Sequence, residues 1–151
     1  MEWMLLPLKR YADFSGRSRR MEYWMFALMN FVIAMVLMGP FVFSMIGAAA
    51  DPMTVDADPF AAVGTLGTIG LGIYGLYALA IIVPSIAVVV RRLHDRDMSG
   101  WWYLGVMVAS LIPLVGLIAS IAFLVLMFLP GTPGPNRFGP DPKSDEAETF
   151  A

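Results

Sequence analysis

Two long apolar runs are separated by the segment Arg91-Arg92-Leu93-His94-Asp95-Arg96-Asp97-Met98-Ser99-Gly100-Trp101-Trp102. This segment holds three of the chain's ten Lys and Arg residues, its only His and two of its Asp residues. Because the flanking runs are long enough to cross a bilayer, we predict that the segment is a short, densely charged loop at a membrane surface.

The composition is that of a membrane protein. The chain has 151 residues, of which 58% are hydrophobic and 15% charged. A soluble fold this apolar would expose large apolar patches, whereas a membrane protein turns them towards lipid. No Lys or Arg lies between Arg20 and Arg91, or between Arg96 and Arg137, so the basic residues are grouped at the ends of apolar runs, as membrane topology requires. The chain has no Cys, which excludes disulfides and thiol chemistry.

We predict an all-α integral membrane helical bundle with an N-terminal interfacial helix and three transmembrane spans. The mixed apolar and basic residues 2–14 predict the interfacial helix. The spans are expected at about 23–46, 66–90 and 103–129. Residues 1–143 then form a single multi-pass membrane domain, and residues 144–151 an acidic, disordered tail.

The third apolar run is broken at Pro113 and has two interpretations. The pieces on either side are about 12 and 16 residues long, fewer than the ~20 that cross a bilayer. The run is either one span broken at Pro113, which is the fold we predict, or a hairpin of two short helices. One span places the C-terminal tail on the extracytoplasmic side of the membrane, and a hairpin places it on the cytoplasmic side.

The distribution of charge predicts the orientation. A cationic cluster, Arg17–Arg20, precedes the first span, and the acidic loop Asp51–Asp58 follows it. The positive-inside rule then gives a cytoplasmic N-terminus, an extracytoplasmic acidic loop and a cytoplasmic Arg91 loop.

Helical spacing predicts ion pairs within the charged segment and across it. If the second span continues as a helix past residue 90, Arg91 and Arg92 both reach Asp95. Glu22 lies at the same predicted depth, so it would pair with Arg91 or Arg92 and tie the first span to the second. In one interpretation, these charges are a positive-inside anchor and a salt-bridge network that ends the helix.

The same residues suit a site in three other ways. His94 could be a general base oriented by Asp95, or could bind one Mg²⁺ together with Asp95 and Asp97. Both signals are weak, and we assign no catalytic residue, metal site or cofactor. A cationic belt would instead contact anionic lipid headgroups, and its members are Arg17, Arg19, Arg20, Arg91, Arg92 and Arg96.

Small residues spaced four apart predict close helix packing. The candidate pairs and triplets are Gly64/Thr68/Gly72, Gly105/Ala109 and Gly116/Ser120.

Three motifs, in order, carry a family resemblance. They are Phe14-Ser15-Gly16-Arg17-Ser18-Arg19-Arg20-Met21-Glu22-Tyr23-Trp24, then Arg92-Leu93-His94-Asp95 with Ser99-Gly100-Trp101-Trp102, then Gly131-Thr132-Pro133-Gly134-Pro135-Asn136-Arg137-Phe138-Gly139-Pro140-Asp141. The set resembles the DUF805 family of small bacterial inner-membrane proteins (YhaH-like). The resemblance implies a multi-pass inner-membrane protein and supplies no catalytic residue. If the turn at 136–138 packs against Arg92–Asp95, the tail is cytoplasmic and the third run is a hairpin.

The predicted function is that of a structural or interaction module rather than an enzyme. Its cytoplasmic cluster would contact anionic lipid or a partner protein, with a homo-oligomer as a further possibility and no role for nucleic acid. The candidate binding residues are Arg17, Arg20, Glu22, Arg91, Arg92, His94, Asp95, Asn136 and Arg137. One alternative is a transporter or channel subunit, but the spans lack the buried ionisable residues that mark ion pathways. The other is a membrane enzyme that acts on a lipid or phosphate.

Overall fold

The computed structural model describes residues 2–50 and 59–143, and the predicted acidic loop and disordered tail lie outside these ranges. The helices are α1 (Glu2–Lys9), α2 (Arg20–Ala50), α3 (Pro59–Asp95), α4 (Trp101–Ala109) and α5 (Pro113–Phe128). Within the described ranges, β structure is limited to an isolated bridge between Asn136 and Gly139. The all-α prediction is confirmed, although the N-terminal helix ends at Lys9, before the predicted residue 14.

Among the residues that the structure describes, two helices are long and apolar enough to cross a membrane. These are Arg20–Gly47, with 28 residues, and Gly64–Asp95, with 32, and they contain the first two predicted spans. At a rise of about 1.5 Å per residue, both exceed the ~30 Å of a hydrocarbon core. Only 6% of the most apolar window of the first helix and 22% of that of the second are buried within the protein. Their apolar side chains therefore need lipid as solvent.

The chain divides into two compact units, and the first comprises Ala27–Ile82. In this unit, α2 and α3 pack at Gly70, where a Cβ atom would lie 2.4 Å from the Leu37 carbonyl oxygen. The Tyr77 hydroxyl donates a hydrogen bond to the Asn30 side-chain oxygen over 2.6 Å, which satisfies polar groups in an apolar stretch. Close packing thus occurs at Gly70, whereas a Cβ atom on Gly72, on the predicted small-residue face, would meet no atom of the described residues within 4 Å.

The second unit comprises Met1–Phe26 and Val83–Ala151. Its apolar core consists of Val89, Leu93 and Met127, all buried. Aromatic rings surround this core: Trp24 stacks on Phe128, with 4.2 Å between ring centroids. The core therefore joins the start of α2, the end of α3 and the end of α5.

Residues 101–128 form a hairpin. The ring of Tyr103, near the start of α4, lies 5.7 Å from that of Phe123, far along α5, so the two helices run antiparallel. At the turn, a Cβ atom on Gly116 would lie 2.7 Å from the Ser110 Cα atom, so only glycine permits this approach. Pro113 is the first residue of α5, where its missing N–H costs no helical hydrogen bond.

The break at Pro113 is confirmed, and the two pieces pack against each other as a hairpin, which is one of the two interpretations that the sequence left open. With 9 and 16 residues, the two helices are each shorter than a usual span, and together they return the chain to its starting point. Proline at 113 ends the first piece and begins the second in a new direction, because the preceding residue, Ile112, is extended.

Helix α3 ends in a Schellman motif that turns the chain towards α4. The Met98 N–H donates to the Leu93 carbonyl over 3.0 Å, and the Asp97 N–H to the His94 carbonyl over 3.0 Å. Asp97 has a φ of 58°, the left-handed conformation that this motif requires. The charged segment is therefore a helix end and a tight turn.

Because the N-terminal segment and the segment 130–143 belong to the same compact unit, we predict that they lie on the same side of the membrane. We expect Ser15→Cys and Lys143→Cys, both exposed positions in a Cys-free chain, to react with an impermeant maleimide from the same side. Labelling would be compared in intact cells and in opened cells. Modification of the two positions from opposite sides would contradict the hairpin.

Candidate functional site

The Asp95 carboxylate, at the last residue of α3, lies between two arginines. Its Oδ1 accepts a hydrogen bond from Arg17 Nε over 3.0 Å, and its Oδ2 accepts one from Arg92 Nη1. Asp95 is 4% exposed, Arg17 6% and Arg92 0%. Because all three are removed from water, each charge depends on the others. Arg92 and Asp95 pair at the predicted helical spacing of three residues.

Leu129 and the proline-rich segment 130–143 supply carbonyl acceptors for other guanidinium N–H groups of the arginines. Arg17 donates to the carbonyls of Thr132 and Gly134, each over 2.6 Å. Arg92 donates to the Leu129 carbonyl, and Arg96 to the Pro130 carbonyl. Prolines cannot continue a helix, so carbonyls in this segment stay available to the arginines.

The same segment caps the C-terminus of α3, where carbonyls lack partners within the helix. The Thr132 N–H donates to the Asp95 carbonyl over 2.8 Å. The Asn136 side-chain amide donates to the His94 carbonyl over 2.9 Å. The sequence-based hypothesis that the 136–138 turn packs against the end of α3 is confirmed.

A second buried ion pair joins the start of α2 to the end of α3. Arg91 Nη2 donates to Glu22 Oε1 over 3.0 Å, and the two side chains are almost completely buried. Arg91 Nη1 donates to the Asp13 carbonyl, in the segment between α1 and α2. Of the two partners predicted for Glu22, the structure has Arg91. We call Arg17, Glu22, Arg91, Arg92 and Asp95 the buried ion cluster.

His94 lies beside the cluster without joining it. Its Nδ1 lies 3.2 Å from the Gly16 carbonyl oxygen, and its ring stacks on Phe138 with 3.9 Å between centroids and 4° between planes. Asp95 is occupied by guanidinium groups, so the hypothesis that it orients His94 as a base is not supported. Asp97, also proposed as a Mg²⁺ ligand, pairs with Arg137 over 3.1 Å at an exposed position.

A cavity of about 410 Å³ adjoins Asp95. Four of its lining side chains are cationic and two are carboxylates; the cationic ones are Arg17, Arg19, Arg20 and Lys143. Arg20 and Lys143 are exposed and Arg19 is half-buried. Residues 130–133 and Pro142 form the rest of the cavity wall.

Two carboxylates outside the helices are held in their ionised form. The backbone N–H of Lys143, and that of Gly134, donate to Asp141 and hold the pKa of its carboxyl below the usual value. Hydrogen bonds from Ser15 and Arg10 hold the pKa of Asp13 far below its ordinary value. Both groups therefore stay charged as the pH falls below neutral.

All nine predicted site residues lie in the second unit. Five form the buried ion cluster, His94 stacks on Phe138, Asn136 caps the end of α3, Arg20 lines the cavity and Arg137 pairs with exposed Asp97. Their role in binding stays a prediction. Lys143, Gly131 and the carbonyls of segment 130–143 were not among the predicted site residues; the density of prolines after residue 129 marks the segment as non-helical but does not identify which carbonyls accept hydrogen bonds.

Gly131 is required where the tail crosses Asp95, because a Cβ atom there would lie 2.0 Å from the Asp95 Oδ2 atom. We expect Gly131→Ala to lower the free energy of unfolding by about 1–3 kcal/mol through this overlap. Gly105→Ala is the matched control, because Gly105 is helical and its Cβ position is open; it should leave stability unchanged or slightly raised. Thermal unfolding in detergent measures both, and equal stabilities would refute the close contact.

A family model described as "Protein of unknown function (DUF805)" matches residues 11–140. The chain is similar to the inner membrane protein YhaH of Escherichia coli (strain K12), with 41% identity over 144 residues that cover 95% of this chain and 98% of YhaH. It is also similar to the inner membrane protein YhaI of the same strain, with 35% identity over 143 residues that cover 95% and 97% of the two chains. No solved structure matches the chain.

Proposed function

This chain belongs to the DUF805 family, as the three motifs indicated, and we propose that it is a non-catalytic inner-membrane module that contacts anionic lipid at the cytoplasmic face. In this proposal, the buried ion cluster holds the fold together. The exposed cations of the same unit make the contact with lipid.

The observation that supports the proposal is the division of the basic residues into a buried set and an exposed set. Arg17, Arg91 and Arg92 each have a carboxylate partner and backbone carbonyl partners, and are almost wholly buried. They have no surface left for an external ligand. Arg20, Arg137, Lys9 and Lys143 are exposed.

The buried carboxylates speak against a catalytic role. Asp95 is paired with two guanidinium groups and Glu22 with one. A general acid or base must reach a substrate to exchange a proton with it, whereas both carboxylates are buried against their arginine partners. Both groups therefore serve the fold.

The exposed cations suit the cytoplasmic leaflet. Lys9 ends α1, and Arg20 begins α2, so both stand at the ends of apolar segments. Anionic lipids attract such residues by about 1 kcal/mol for each Lys or Arg near the surface. The positive-inside rule supports a cytoplasmic N-terminus, and Ser15→Cys tests this side directly: it should react only after cells are opened.

Lipid dependence of stability tests the proposal. We expect the midpoint of thermal unfolding to be higher in nanodiscs that contain phosphatidylglycerol than in phosphatidylcholine alone, because the exposed cations interact with anionic headgroups. The difference should shrink at high salt, which screens exposed charges. Equal midpoints in the two lipids would contradict the proposal.

The matched test is a variant in which the four exposed cations are replaced together: Lys9→Gln, Arg20→Gln, Arg137→Gln and Lys143→Gln. It should lose the preference for phosphatidylglycerol and keep the midpoint measured in phosphatidylcholine, because the substitutions leave the buried ion cluster intact.

A further inference from the structure

We propose that the cavity beside Asp95 binds a single phosphate group, that of an anionic phospholipid headgroup. The inference rests on the proposed lipid contact and deepens it, from a diffuse attraction to one site with one occupant. The site is the cavity lined by Arg17, Arg19, Arg20 and Lys143 together with the tail.

The cavity has the size and charge for such a ligand. Its volume of about 410 Å³ falls within the ~300–1,000 Å³ of small-molecule sites. Four cationic side chains face two carboxylates, and one of these, Asp95, is also neutralised by Arg92 from outside the cavity. The other, Asp141, accepts from the N–H groups of Gly134 and Lys143, so its charge is directed towards the tail backbone.

The cationic side chains are positioned before any ligand arrives. Arg17 is buried and fixed by Asp95 and by the carbonyls of Thr132 and Gly134, so it shapes the wall, and the phosphate would meet Arg19, Arg20 and Lys143. Arg19 donates to the Pro142 carbonyl over 2.6 Å and lies 5.4 Å from the centre of the Trp3 ring. Fixed guanidinium groups bind phosphate oxygens with little loss of side-chain freedom. Preorganisation of this kind favours a specific site over loose electrostatic attraction.

The neighbourhood of the cavity favours a lipid as the source of the phosphate. Arg20, on the cavity wall, donates to the carbonyl of Phe128, the last residue of α5. Phe128 is 56% exposed and Leu129 39%, and Pro130, which follows them, lines the cavity. A headgroup in the cavity would thus leave its acyl chains beside the apolar surface of α5.

Native mass spectrometry of the full chain in detergent tests the site, with phosphatidylglycerol, phosphatidylcholine and inorganic phosphate as probes. We expect one phosphatidylglycerol to bind more tightly than phosphatidylcholine. Arg20→Gln combined with Lys143→Gln should weaken this binding at least about tenfold, as the loss of two charge-assisted contacts implies. Lys9→Gln combined with Arg137→Gln removes the same charge outside the cavity and should weaken this binding clearly less, through the loss of diffuse attraction alone.

Each contrary outcome is distinguishable. Equal weakening in the two double variants would overturn the single site and leave the proposed diffuse lipid contact standing. Phosphatidylglycerol that binds no tighter than phosphatidylcholine to the unaltered chain would overturn both. Inorganic phosphate that binds as tightly as the lipid and displaces it would assign the cavity to a soluble phosphate and overturn the lipid source. Lys143→Gln alone, at an exposed side chain, provides the same comparison if the double variant does not fold.

Discussion

The structure depends on one desolvated carboxylate. Asp95 lies between Arg17 and Arg92, and none of the three is accessible to water to any useful extent. A buried ion pair adds little stability relative to apolar residues of the same shape, but the loss of one partner leaves an uncompensated charge. The guanidinium groups also donate to main-chain carbonyls: Arg17 to Thr132 and Gly134, and Arg92 to Leu129. One charge therefore fixes the N-terminal segment, the end of α3 and the tail in a single arrangement.

Helix length imposes the other constraint. Helices α4 and α5, with 9 and 16 residues, are each too short for an ordinary span. Their backbone N–H and carbonyl groups must nevertheless be hydrogen-bonded where they meet lipid. The hairpin satisfies the backbone within two helices and returns Leu129 to Arg92, which needs its carbonyl. The fold thus separates the cations into two groups that look alike in the sequence. Those that hold the tail are buried, and those that remain exposed can meet lipid.

The sequence predicted the features that depend on apolar length and on local spacing. The two long helices, the Arg92–Asp95 pair and the Glu22–Arg91 pair are of this kind. It did not decide between one broken span and a hairpin, because the two share the same hydropathy, and only contacts such as Tyr103 with Phe123 separate them. Nor did it predict the tail carbonyls or Gly131, because main-chain acceptors and close backbone approaches have no side-chain pattern. For the same reason, the spacing of small residues indicated Gly72 as a packing position, whereas the close contact between helices occurs at Gly70.

A double-mutant cycle on Arg17→Gln and Asp95→Asn, measured as the free energy of unfolding in detergent, tests the central claim most directly. Each single substitution should cost about 3–5 kcal/mol, because it leaves buried charge without its partner. The combined variant should lose clearly less than the two costs added together. The exposed pair Arg137 and Asp97 is the matched control and should cost about 0–1 kcal/mol. Additive costs at Arg17 and Asp95 would contradict the account, because the two residues would then act independently.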